Sequence, residues 1–236
     1  MEKFKRTVDL SKAIPFANKS AVVAKSASED EIGSCVFPDG TGYICDVNYL
    51  DGITVSMLDW WYVWRGLKKE NYSSLNPKEY LSAKSMQIQK SLDPDLDIHE
   101  KLWDTTQEVV TMGEMGPVVS FQNFKCPTDI GFDISALKDN ASFICYRTFD
   151  QGQPPQAGPD GFVAHMIKET DTGVEITTHQ WVGWTMKYGL PTKTLPEGFF
   201  MPPVFPVSYL VKNTMELMNL GKILPKLYEE NGGKLQ

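Results

Sequence analysis

Between Thr105 and Met186 the chain alternates apolar and polar positions in five runs: Thr105–Met112, Val118–Lys125, Ala141–Phe149, Gly161–Glu169 and Val174–Met186. β-Branched and aromatic residues on a period of two predict strands. Asp171-Thr172-Gly173 joins the last two as a tight hairpin. Cys35 to Leu50 reads as strand, turn, strand, with Pro38-Asp39-Gly40-Thr41-Gly42 as the turn. The period changes near the end. Leu210, Val211, Leu217, Leu220, Ile223, Leu224 and Leu227 recur about every 3.6 residues. They predict a helix from Val207 to about Glu230, stopped by Gly232-Gly233 and kinked or restarted at Pro225. Leu190 to Pro206 holds five prolines and is expected to be irregular.

Shorter patterns complete the outline. Val55 to Leu67 reads as a helix capped by Ser56, with Asp59 as its capping-box partner and Trp60, Trp61, Tyr62 and Trp64 inside it. Asn76-Pro77 predicts the start of another helix over Lys78–Met86. Asp150 to Asp160 is rich in Pro and Gly, and is expected to be a surface loop or a lid. The first thirty residues are polar and turn-rich. They are expected to lie on the surface, so residues 1–34 form an extension packed on one domain, 35–236. Segregated strands plus one long amphipathic helix predict the α+β class, with a curved antiparallel sheet gripping the C-terminal helix. The cavity between the two is where a small ligand would bind.

Composition narrows the function. Apolar residues make up 42% and charged residues 22% of 236, an ordinary globular balance. A net charge of -7 argues against nucleic acid as a partner and, weakly, against an anionic membrane surface. No apolar run approaches the roughly 20 residues that span a bilayer, and Met1–Leu10 lacks the apolar stretch of a signal peptide. Cys35, Cys45, Cys126 and Cys145 form no C-x-x-C pair. They read as free buried thiols in a reducing, cytoplasmic setting. The aromatic content is compatible with a homodimer.

Few residues carry candidate chemistry. Of the three histidines, His99 and His179 read as structural, whereas His165, placed at the opening of a strand, is the candidate general acid or base. Lys212 and Glu216 are four apart and share a helix face. They are either a solvated pair or, if that face looks into the cavity, a buried pair that needs a further partner. Glu108, flanked by Val109 and Val110, is the candidate partner. Arg65 ends the tryptophan-rich helix. It either snorkels to solvent or stacks on the rings and clamps an anionic oxygen.

Four segments together resemble one family. Asp59-Trp60-Trp61-Tyr62-Val63-Trp64-Arg65, Ile130-Gly131-Phe132-Asp133, His165 through Gly183, and Glu216 through Tyr228 resemble, in order, segments of the 2,4-diacetylphloroglucinol and phloretin hydrolases. The resemblance implies a helix-grip fold of the Bet v 1 and START type. It also implies cleavage of a carbon–carbon bond between an acyl group and a phenolic ring, with zinc held by two His and two Glu. Glu108 and Glu216 stand at the carboxylate positions, with Glu114 an alternative to Glu108. Asn76 and Lys212 stand where the histidines would be, and Arg65 replaces the His that ends the tryptophan motif. An ammonium binds zinc only after losing its proton, and Asn is a poor ligand. Zinc is therefore doubtful here, and Lys212 is expected to form a buried salt bridge with Glu108 and Glu216. Trp61, Trp64, Tyr80, Trp181 and Asn76 are expected to line the substrate site. Three functions stay open for a small aromatic or phenolic molecule. The first is a C–C hydrolase, with His165 as proton donor and Arg65 or Lys212 at the oxyanion. The second is a metal-free isomerase, cyclase or lyase. The third is a non-catalytic binding protein.

Overall fold

The alternating runs pair into one sheet. A computed structural model describes residues 6–23, 25–113, 115–138, 140–150, 160–187 and 189–235. Eight antiparallel strands stand in the order β1-β2-β8-β7-β6-β5-β4-β3. They are β1 (Gly33–Val36), β2 (Gly42–Asp51), β3 (Tyr80–Ser85), β4 (Thr106–Gly113), β5 (Gly116–Phe124), β6 (Ala141–Asp150), β7 (Gly161–Glu169) and β8 (Gly173–Val182). β1 and β3 are the outermost strands, β1 bridged on its outer side by Thr7 opposite Ser34, so the sheet is an open, curved one. The β7–β8 hairpin runs in register from Gly161 opposite Val182 to Glu169 opposite Val174, closed by Thr170 N–H donating to Gly173 O at 2.8 Å. The loop expected over 150–160 falls mostly outside the described residues, as does Glu114.

Side chains alternate between two buried faces. Val163 and Ile167 of β7 join the core beneath the helices, while Phe162, Ala164 and Met166 join a second core on the other side. The polar, turn-rich N-terminal segment covers that second face. It contributes Val8, Ala13, Phe16 and Val22, all buried, against Tyr43, Phe143, Phe162 and Trp181. Burying one such aliphatic or aromatic side chain is worth about 1.5–3 kcal/mol. Four of them outweigh the segment's polar composition.

α4 (Val204–Glu230) lies on the first face, burying Leu210, Leu217, Leu220 and Leu224. It begins three residues before the expected Val207. Pro206 falls in its first turn, where a missing N–H costs no hydrogen bond. The helix also continues through Pro225, held by Leu220 and Leu224 before it and by Leu227 and Tyr228 after it, all packed into the same core. Gly232 and Gly233, both at positive φ, end it, and Gly233 N–H donates to Tyr228 O at 2.9 Å. α1 (Val55–Trp64) packs beside α4. Its cap is Thr54, whose Oγ1 accepts from Met57 N–H at 3.2 Å, and not Ser56. Asp59 is no capping-box partner, because it accepts from Ser142 Oγ–H at 2.6 Å.

Other expectations are corrected. Lys78–Met86 is not a helix. After the short α2 (Lys69–Ser73), Asn76 O accepts from Glu79 and Tyr80 N–H and closes a turn. The chain then pairs with the exposed edge of β4 as β3, shifting register between Tyr80 and Ser82. A free sheet edge overrides a local helix signal. α3 (Ile88–Leu92) follows. The last alternating run breaks at Gly183, which takes φ 91° against Leu195. Beyond it β9 (Trp184–Lys187) pairs with β10 (Leu190–Lys193), so part of the proline-rich stretch is regular. All four cysteines are free, and Cys35, Cys45 and Cys145 are buried while Cys126 is half-buried. No helix among the described residues is long and apolar enough to cross a membrane.

Candidate active site

α1 ends beneath the sheet, and the residue after its last turn is Arg65, 1% exposed. Its Nε donates to Gln107 Oε1 at 3.0 Å, one Nη donates to Gln122 Oε1, and the other faces Glu216 Oε1 at 3.5 Å. Gln107 comes from β4, Gln122 from β5 and Glu216 from α4. Gln107 is itself fixed, since its Nε2 donates to Tyr62 O at 2.7 Å. The guanidinium also lies over the rings of Tyr62 at 4.6 Å, Tyr72 at 5.3 Å and Phe124 at 5.8 Å. Taking an ion out of water costs several kcal/mol unless partners replace the solvent. Here two amide oxygens, one carboxylate and three π faces replace it.

Glu216 has a second partner, Tyr72, whose hydroxyl donates to Oε1 at 3.1 Å. Burial, and then the Glu216 carboxylate, push the Tyr72 phenol well up from its ordinary value, against the pull of Arg65. It therefore stays protonated and remains a donor. Tyr80 packs edge-on to Tyr72 with centroids 5.2 Å apart. It is fully buried, and its hydroxyl has no hydrogen-bond partner among the described residues. Burial, then the carboxylates of Glu216 and Glu79, push that phenol up, so it too keeps its proton.

A second polar group lies on the same face. His165 sits in the middle of β7, not at its start. Its Nε2 is 3.1 Å from Tyr146 Oη and its Nδ1 is 2.9 Å from Thr178 Oγ1. Burial, reinforced by Arg65, pushes the imidazole down to about 3. At neutral pH the ring is neutral, so it has no imidazolium proton to give as the expected donor. Tyr62 links the two groups, lying over Arg65 on one side and 5.8 Å from the His165 ring. Asp46 on β2 completes the face. Its Oδ2 accepts from Thr214 Oγ1 at 2.7 Å, Asn48 Nδ2 at 2.8 Å and Asn213 Nδ2 at 3.0 Å, tying α4 to the sheet.

The other candidate residues are dispersed. Glu108 is adjacent to Gln107 and therefore points to the opposite side of β4. It lines an open groove of about 790 Å³ at the β3 edge, with Lys69, Lys84 and Met86. Lys212 is exposed, and its Nζ reaches Thr111 Oγ1 at 3.5 Å. Among the described residues it forms no ion pair with Glu108 or Glu216, so the expected salt bridge is replaced by Arg65–Glu216. Trp61 and Trp64 pack behind Arg65, with each other and with Tyr72 or Trp60. Trp181 lies on the far face, donating its indole N–H to Ile14 O at 2.7 Å. Asn76 turns its Oδ1 onto Lys78 N–H at 3.2 Å. His179 is also on the far face, 2.8 Å from Tyr43 Oη and pushed by burial down to about 4. His99 lies 3.2 Å from Asp59, whose hydrogen bond raises its pKa.

Zinc fits this site poorly. The described residues contain no group of three or more His, Cys, Asp or Glu able to hold a metal. Beside Glu216 stand a guanidinium, two neutral amides and a phenol, and the fixed positive charge would repel a divalent ion. Gln107, Gln122 and Asp46 escaped the sequence reading. Each is a polar residue on the inward beat of its strand, a beat that Asn48, Thr111 and Ser120 also share, so alternation did not single them out.

Three comparisons place the chain among known proteins. The DAPG hydrolase PhiG domain matches residues 14–229. The chain is 30% identical over 228 residues to a phloretin hydrolase of Eubacterium ramulus, covering 93% of this chain and 79% of the relative. It is 24% identical over 219 residues to a 2,4-diacetylphloroglucinol hydrolase of Pseudomonas protegens, covering 86% and 69%. Among solved structures, Ara h 8.0201 superposes with a TM-score of 0.50 at 10% identity, covering 79% of this chain and 99% of that one. That likeness is one of fold alone, the Bet v 1-like helix grip.

Proposed function

Because this chain belongs to the DAPG hydrolase PhiG domain family, we propose that it hydrolyses the carbon–carbon bond between an acyl group and a phenolic ring. The observation that carries the reading is the buried Arg65, set 3.5 Å from a Glu216 carboxylate that Tyr72 also holds. In the reaction water adds to the acyl carbonyl, the ring carbon departs, and the products are a free phenol and a carboxylic acid. Glu216 takes the proton from the attacking water and returns it to the ring carbon as the C–C bond breaks. The carbonyl oxygen gains charge during the attack, and the unused N–H groups of Arg65 stabilise it at no reorganisation cost. Tyr72 holds Glu216 in position. Tyr62 and Phe124 supply flat apolar surface for the ring. The relatives named phloretin hydrolase and 2,4-diacetylphloroglucinol hydrolase support a phenolic substrate. Four free cysteines fit a reducing cytoplasm.

The test is turnover of phloretin or 2,4-diacetylphloroglucinol, followed by chromatography of the deacylated phenol and the released acid. Glu216→Gln should lower kcat by about a hundredfold or more. Full activity in that variant, or no turnover of any acylated phenol, would sink the reading.

A further inference from the structure

Arg65 is incompletely neutralised. Two of its three hydrogen-bond partners are neutral amide oxygens, from Gln107 and Gln122. The third is Glu216 at 3.5 Å, longer than the roughly 2.7–2.9 Å of a strong charge-assisted bond. That carboxylate is also shared with Tyr72. Of the five guanidinium N–H groups, two are left for something else. Tyr80 packs on Tyr72, and its buried hydroxyl has no hydrogen bond within 3.5 Å among the described residues, although the Glu216 and Glu79 carboxylates both act on it. The other charged groups on this face do not remove the imbalance. Asp46 already accepts three hydrogen bonds from Asn48, Asn213 and Thr214. Lys212 adds positive charge toward Thr111.

A buried cation whose one carboxylate stands at 3.5 Å and is shared with a tyrosine has capacity left for an oxyanion. We propose that Arg65 does here the work of a metal ion: the site binds the substrate as its phenolate, directly on the guanidinium, with Tyr80 donating a further hydrogen bond. This deepens the proposed hydrolase by naming the ionised form it takes and the group that holds it. The reasoning is independent of turnover. One unused N–H suits the phenolate oxygen and the other the neighbouring acyl carbonyl, and the ring of a bound phenol would continue the stack of Tyr62 and Phe124 around the guanidinium. A phenolate also makes its ring carbons more basic, which eases the protonation that C–C cleavage requires.

The probe is para-nitrophenol, which has no acyl C–C bond to hydrolyse and whose phenolate absorbs visibly. Titrated into the protein below the probe's own pKa, it should bind with appearance of the phenolate band. Dialysis against a chelator should leave that binding unchanged, and elemental analysis should find zinc well below one per chain. Arg65→Gln should weaken phenolate binding by about tenfold or more, since hydrogen bonds to a charged group are the strong ones. Should that variant not fold, two conservative ones decide. Glu216→Gln removes the competing anion and should tighten phenolate binding severalfold, although it abolishes hydrolysis. Tyr80→Phe should weaken it about threefold. Binding of the neutral phenol, no binding, weaker binding in Glu216→Gln, or stoichiometric zinc whose removal abolishes binding would each overturn the proposal. Phenolate binding without hydrolysis of any acylated phenol would overturn the proposed reaction and leave this inference standing.

Discussion

The two faces of the sheet bury histidines in contrasting company. On the outer face His179 meets Tyr43 and Trp181 under the N-terminal segment, where the Lys25–Glu31 ion pair stands beside it. On the inner face His165 meets Tyr146 and Thr178, and beyond Tyr62 lies a guanidinium, with Asp46 on the neighbouring strand side. Both imidazoles are held neutral, His179 near 4 and His165 near 3, by burial above all. The difference lies in their surroundings. The outer face is an apolar core with its charges at the margin, the Lys25–Glu31 pair and Lys19, whose ammonium lies over Phe16 and Phe132. The inner face instead encloses a whole guanidinium, 1% exposed, at a cost of several kcal/mol, and this makes it the candidate site.

Substitutions can break this contrast. The largest stability loss should come from Phe16→Ala on the outer face, about 3–5 kcal/mol by chemical denaturation, with activity per folded molecule unchanged. If instead that variant lost activity while staying stable, the outer face would belong to the site. Next, acid should destabilise the fold through both histidines. Each folded pKa lies below the unfolded value, so the unfolded chain binds more protons between pH 6.5 and about 3–4. Their contribution is present above pH 6.5 and is lost as pH falls through that window, on the order of 3 kcal/mol each. His165→Gln and His179→Gln should each flatten the stability–pH curve there, and an unchanged slope would contradict the burial of the ring concerned. Asp46→Ala leaves Asn48, Asn213 and Thr214 short of their acceptor and should cost about 2–3 kcal/mol while also lowering kcat. A smaller effect of opposite sign belongs to His99. Its folded pKa is raised by Asp59, so its contribution is present below pH 6.5 and is lost as pH rises through the raised value. His99→Gln should reduce stability at acidic pH and leave it unchanged in alkali. The smallest effect is at Glu108, where Gln should change kcat by less than about twofold because the side chain lies across the sheet from Arg65.

The fold was legible where hydrophobic period decides structure. β7 and its hairpin stand where alternation puts them, and Leu210, Leu217, Leu220 and Leu224 pack as their spacing requires. It was illegible where a distant partner decides. Tyr80–Ser85 is a strand because β4 has a free edge, and the polar N-terminal segment is held by four apolar side chains. The site follows the same division. Arg65 and Glu216 stood out from their neighbours along the chain, and the structure pairs them at 3.5 Å. Glu108 and Trp181 failed for one geometric reason, because alternate residues of a strand point opposite ways and sequence proximity to a site says nothing about side. Gln107 holds the position expected of Glu108. Lys212 shares α4 with Glu216, yet extends toward Thr111 at the rim.

The clasp of Asn213 and Thr214 on Asp46 has a consequence for how this helix can change over generations. It works as a peg that fixes the helix's azimuth only two residues before Glu216. Each added or lost residue rotates the remainder of the helix by about 100°. A single insertion between Thr214 and Glu216 would swing the carboxylate away from the guanidinium while leaving helix, sheet and fold in place. Exposed positions elsewhere along α4 can drift, but the length of this short interval cannot.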